Sequence, residues 1–114
     1  MSGRRIYHVA DRRHWTEAQE AGEYTRSTRD LSLDEVGYLH GANPDQVTGV
    51  LERYYQGIDD LVLLVVDVDA VSHLLRDENT SGGTELFPHL YGPLPVSAVV
   101  EVIEIGDPAT FRLS

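Results

Sequence analysis

Cysteine is missing from this 114-residue chain, and so is lysine. Without cysteine there are no disulfides, no thiolate metal ligands and no cysteine nucleophile, which fits a cytoplasmic protein. All nine cations are arginine, set against 19 acidic residues, for a formal net charge of −10. A surplus of that sign opposes non-specific binding to nucleic acid or to anionic membranes. No apolar run approaches the ~20 residues of a membrane span. The opening MSGRRIYHVADRR has no apolar core and no cleavage site, so no signal peptide is expected. Strong catalytic motifs are missing too. TSGGTE lacks the lysine and following helix of a phosphate-cradling loop, and neither G-x-S-x-G nor H-E-x-x-H occurs.

What is present suits one domain with a core over about residues 5–105. The apolar fraction of 41% is enough for a packed interior. The alternation in RIYHVA (5–10) predicts a strand. Asp11 can then cap a helix to Ala21, with Trp15 and Ala18 inward and Gly22 as its end. EYTRSTRDLSLDEVG reads as loop with a short strand at Tyr24, and GYLHGA (37–42) as a short strand. NPDQ is the clearest helix start, with Asn43 as cap, Pro44 at the first position and Gln46 closing a capping box. Val47, Val50, Leu51 and Tyr54 then share one helical face, and Gly57 ends the helix. The unbroken run LVLLVVDVD (61–69) predicts a strand buried on both faces. AVSHLL reads as a helical turn, ENTSGGT (78–84) as a loop, AVVEVIEI (98–105) as a last strand, and the tail beyond Gly106 as loose. The order implies a compact α+β fold with two main helices on a small sheet.

FPHLYGPLP (87–95) packs three prolines, a histidine and two aromatics into nine residues. Proline removes a backbone donor and fixes φ, so the segment is expected to be a rigid, irregular wall presenting His89 and Tyr91. His8 and His40 each lie in a short apolar strand. Either they are hydrogen-bonded core residues, or they line one pocket with His89. No helical i, i+4 pair of histidines occurs, so no metal is expected. Glu85, beside LFPHLYG, is a candidate acid or base if its apolar neighbours perturb it, and otherwise a solvated loop carboxylate. Asp67 and Asp69 either bind a ligand or close a turn. Tyr54 is expected in the core. Arg4, Arg5, Arg12, Arg13, Arg26 and Arg29 cluster near the start. That pattern reflects either arginine-biased composition or a phosphate-facing surface.

The succession IYHVADRRHWTEAQEAGEY, GYLHGANPDQVTGVLERYYQG, LVLLVVDVD and ELFPHLYGPLPVSAVVEV resembles the bacterial family catalogued as domain of unknown function 952. That family is similar in outline to a compact ADP-ribosyltransferase-like domain of the RNA 2′-phosphotransferase kind. The resemblance implies a split pair of small curved sheets, with NAD or an NAD-derived group in the cleft between them. It places His8 on a ribose hydroxyl, His40 near the phosphate or nicotinamide end, and Glu85 about where related transferases carry a late acidic residue. The sequence departs from the pattern at Gly41-Ala42, where a small polar pair is common, and it lacks arginines around the His40 strand. An RNA substrate is therefore not expected. Three functions compete. The first is an NAD-using transferase with His8, His40 and Tyr91 on the cofactor and His40, Glu85 and His89 in catalysis. The second is a small-molecule enzyme in which His40 and His89 act as general acid and base without NAD. The third is a module that binds a metabolite or nucleotide without turnover.

Overall fold

The computed structural model describes residues 3–27, 31–79 and 83–113. The fold is α+β, built from small antiparallel sheets with short helices. The first sheet has the order β1 (Arg5–Asp11), β4 (Leu61–Asp67), β8 (Val99–Glu104). Its central strand β4 carries LVLLVV, fully buried along its length. Alternation sends Val62, Leu64 and Val66 into one core cluster, and Leu61 and Leu63 into a second on the opposite face. Helix α1 (Arg12–Ala21) covers the first cluster with Trp15 and Ala18. Helix α3 (Val47–Tyr54) covers the second with Val47 and Leu51. A strand buried by helices on both sides needs the apolar run seen here.

Two smaller sheets complete the molecule. Strand β2 (Glu23–Tyr24) pairs with β7 (Leu94–Pro95). Strand β6 (Phe87–Leu90) lies between β3 (Leu39–His40) and β5 (Leu75–Glu78). Tyr7 and Ala42 exchange two backbone hydrogen bonds of 2.8 Å, tying this last sheet to β1.

Local chemistry explains most boundaries. Gly22 ends α1 in the left-handed region at φ 91°, and Asp11 stands at its N-cap, although its side chain makes no cap bond. Gln46 reaches back to accept from the Asn43 backbone N–H at 2.8 Å. Its amide donates to the Leu86 carbonyl at 2.8 Å, so the same residue ties the start of α3 to the chain entering β6. Pro44–Gln46 is a 3-10 turn that leads into α3.

Several expectations are corrected. FPHL is a strand at the centre of its sheet, not an irregular wall. In an antiparallel ladder a residue's N–H and C=O face the same neighbour. Pro88 faces the end of β3, where its carbonyl accepts from Gly41 N–H at 2.9 Å. Its missing donor therefore costs one bond at the end of the β3 pairing rather than mid-ladder. LRDE, divided by the sequence reading between a helical turn ending at Leu75 and a loop starting at Glu78, is its partner β5. Helix α2 (Leu33–Val36) forms within the stretch expected to be loop, because Ser32 and Glu35 make a capping box. Ser32→Ala is expected to cost about 1 kcal/mol, read as a lower urea midpoint at unchanged slope. Strand β4 stops at Asp67, whose carboxylate accepts from Asp69 N–H at 3.1 Å and starts the short helix α4 (Val68–Val71). The last strand begins at Val99, after a 3-10 turn over Val96–Ala98. The tail is packed, with Phe111 and Leu113 against the second core cluster.

Candidate active site

The register of the last sheet builds a histidine pair. Leu39 opposes Leu90 and His40 opposes His89. Because Gly41 and Pro88 share a ladder bond, alternation makes His40–His89 a non-hydrogen-bonded pair, the kind whose side chains come closest. Their ring centroids are 5.4 Å apart. Period-2 alternation puts Leu39, Leu75 and Leu90 on the core face of this sheet. It puts Tyr38, His40, Phe87, His89, Arg76 and Glu78 on the other.

On that outer face His89 is held from two sides. Its ring stacks on Tyr38, centroids 4.3 Å apart. Its Nδ1 lies 3.0 Å from a Glu78 carboxylate oxygen. A carboxylate only accepts, so Nδ1 carries the proton and Nε2 keeps the lone pair. Among the described residues none bonds that Nε2. The same Glu78 oxygen also accepts from the Tyr91 hydroxyl. The Tyr91 and His89 hydrogen bonds hold the Glu78 carboxyl below its usual range, and the Glu78 bond raises the Tyr91 phenol. The Arg76 guanidinium lies 5.1 Å from the Tyr91 ring centre. His40 makes edge contacts with Tyr38 and His89 and is exposed. Partial burial, then the nearby His89, lowers its pKa, so it is neutral at pH 7.

His8 is different. It is buried, with Nδ1 2.5 Å from the His40 backbone carbonyl and Nε2 3.2 Å from the Tyr24 hydroxyl. Desolvation lowers its pKa to about 4. The carbonyl accepts, so Nδ1–H donates; Nε2 then accepts from Tyr24, whose phenol burial pushes upward. The chain Tyr24–His8–His40 carbonyl ties β2, β1 and β3 together.

A cleft of about 580 Å³ opens between β1, α3 and the outer face of the last sheet. His8, His40, His89 and Glu85 all line it, so the structure brings these candidates together. Tyr91 does not line it, and acts instead on Glu78. Glu85 is exposed at the rim, its carboxylate 3.1 Å from the Gln46 amide. Tyr54, expected in the core, is 68% exposed and lines the cleft. Three of the six arginines near the start are matched to carboxylates. Arg4 grips Asp77 at 2.8 and 3.0 Å, Arg5 lies 3.5 Å from Asp67, and Arg12 pairs with Asp60 at 2.7 Å and with Glu104. Arg29 lies outside the described residues. Among the described residues no three histidine or acidic side chains are grouped to hold a metal, and no helix is long and apolar enough to cross a membrane. Sequence reasoning missed Tyr38, Glu78 and Arg53. Tyr38 was legible, since period 2 puts it on the His40 face. Glu78 was not, because it was read as the start of a loop.

The sequence profile of the family described as "Protein of unknown function (DUF952)" matches residues 9–102. The chain belongs to this family. It is similar to the crystal structure of protein CC0527 from Caulobacter crescentus, with 31% identity over 86% of this chain and 82% of that one, at a TM-score of 0.75. The solution NMR structure of CC0527 gives 29% identity over 90% and 84%, also at 0.75. A comparison with curated proteins finds no match. The DUF952 match takes in both strands of the histidine pair and the whole of β5, so Glu78 lies inside the shared fold with His40 and His89.

Proposed function

We propose that the cleft is the active site of a small-molecule enzyme working by proton transfer. The carrying observation is the cross-strand His40–His89 pair, backed by the Glu78 carboxylate, on the wall of a cleft of about 580 Å³. His40, neutral and exposed, accepts a proton from the substrate. His89 accepts one at Nε2 in the same way, and Glu78 holds its ring and opposes the charge it gains, so the pair can pass a proton between two sites on the substrate. The cleft volume suits a metabolite or nucleotide.

A second reading is an ADP-ribosyltransferase-like use of NAD or an NAD-derived group. The aromatic lining by Tyr54, Tyr55 and Phe87 favours it, since such walls suit a nicotinamide or adenine ring. His8 does not fit the ribose contact expected of it, because both its ring nitrogens are already bonded inside the protein. On this reading His8 is a structural tie, and no step is assigned to NAD.

The test is a thermal-shift titration with NAD, ADP-ribose, nicotinamide and a nucleotide panel, on wild type and His40→Ala. A ligand at ~100 times its dissociation constant adds roughly 2.7 kcal/mol. The exposed His40 is expected to be dispensable for folding, so His40→Ala should melt near wild type while losing most of the ligand-induced rise. A rise that survives His40→Ala would remove the histidine pair from the site.

A further inference from the structure

Among the described residues lining the cleft, Arg53 is the only arginine. Arg4, Arg5 and Arg12 are each matched to carboxylates in this strongly acidic chain. Among the described residues, none of the ion pairs includes Arg53. Its Nε donates to the Gly49 carbonyl one turn back at 3.2 Å, which fixes the side chain along the helix and leaves both terminal nitrogens to donate elsewhere.

Gly49 is the second half of this arrangement. Glycine inside a helix is unfavourable relative to alanine, so its place in the body of α3 calls for a cause. A Cβ at 49 would lie 2.7 Å from Arg53 Nη2 and 3.5 Å from its guanidinium carbon. The guanidinium therefore rests on backbone that only glycine leaves bare. Next along the helix, Tyr54 presents a largely exposed ring to the same cleft.

We infer that Arg53, resting on Gly49, and Tyr54 form the recognition end of the cleft, for a ligand carrying an anionic group, carboxylate or phosphate, beside a flat ring. A guanidinium held this way offers two parallel donors to such an anion. The inference rests on the cleft being the active site, and it names the class of substrate that the histidine pair acts on.

The test compares matched probes by titration calorimetry: AMP against adenosine, and nicotinate against nicotinamide. Wild type is expected to bind at least one charged member fivefold or more tightly than its neutral partner. AMP preference identifies a phosphate, and nicotinate preference a carboxylate. Arg53→Gln should bring the ratio close to one. Gly49→Ala should weaken the preference several-fold while its melting temperature stays at or above wild type, because the new methyl displaces only the arginine head. Equal binding of charged and neutral probes by wild type, no binding of either anion, or a preference that survives Arg53→Gln would overturn the inference. His40→Ala run alongside separates the two readings. A preference lost in Arg53→Gln while His40→Ala binds normally keeps the anion site and shows that His40 is not among the groups that hold the ligand.

Discussion

Gly41→Ala should destabilise the protein by about 1–3 kcal/mol, the usual cost of forcing a methyl group into a packed site. The added Cβ would stand 2.7 Å from the Pro88 carbonyl oxygen and 3.6 Å from that of Tyr7. Pro88 is buried on the central strand of its sheet, and its carbonyl already accepts from Gly41 N–H at 2.9 Å. Neither backbone can move without parting β3 from β6 or β3 from β1. The same contact sets the distance between His40 and His89, so the variant should also lose ligand response beyond what its lower stability explains. Gly49→Ala is the control, since there the methyl meets only a flexible side-chain end. Urea unfolding at pH 7 reads both. A Gly41→Ala midpoint indistinguishable from wild type would show that the two strands are not held as tightly as this geometry requires. Gly41 thus has a steric reason of its own.

Which parts of this arrangement were legible in the sequence follows from whether the signal was local. Strand β1, helix α1 with its glycine stop, the NPDQ start of α3 and the buried run of β4 all follow from periodicity and capping within a dozen residues. The errors came where pairing overrides propensity. Proline 88 argued against a central strand, but its single lost donor happens to face the end of β3. LRDE has no strand pattern of its own and becomes β5 because β6 lies beside it. For the candidate site, the sequence named His8, His40, Glu85, His89 and Tyr91; the first four reach one cleft, and Tyr91 does not line it. It could not say that His8 is tied off on both nitrogens, nor that Glu78 rather than Glu85 holds His89, because both depend on cross-strand register. Tyr54 was misplaced because α3 ends at that residue, so its ring swings out past the core that Val47 and Leu51 fill.

The tie through His8 sets the acid limit of the fold. Its folded pKa of about 4 lies below the ordinary histidine value of 6.5, so the unfolded chain binds more protons between those values. Stability from this group is fully present above pH 6.5, falls as pH drops from there towards about 4, and changes no further below that. At 1.36 kcal/mol per pH unit the full loss is on the order of 3 kcal/mol, most of it by pH 4.5. His14 and His40 are also lowered, chiefly by desolvation, and act in the same direction. Asp77 and Glu78, whose hydrogen-bonded carboxyls are lowered, contribute a separate loss at more acid pH, below the ordinary carboxylate range. Protonating His8 makes Nε2 a donor, so the Tyr24 hydroxyl must turn to accept, and it places a charge at a buried site that joins β2, β1 and β3. His8→Asn is the discriminating variant, since its amide can still donate to the His40 carbonyl but cannot titrate. Urea unfolding of wild type between pH 7 and 4.5 should lose on the order of 2 kcal/mol or more, and His8→Asn should start less stable but lose much less. A wild type equally stable at both pH values, or a variant with the same slope, would move the acid sensitivity away from His8 and leave it as ordinary core packing.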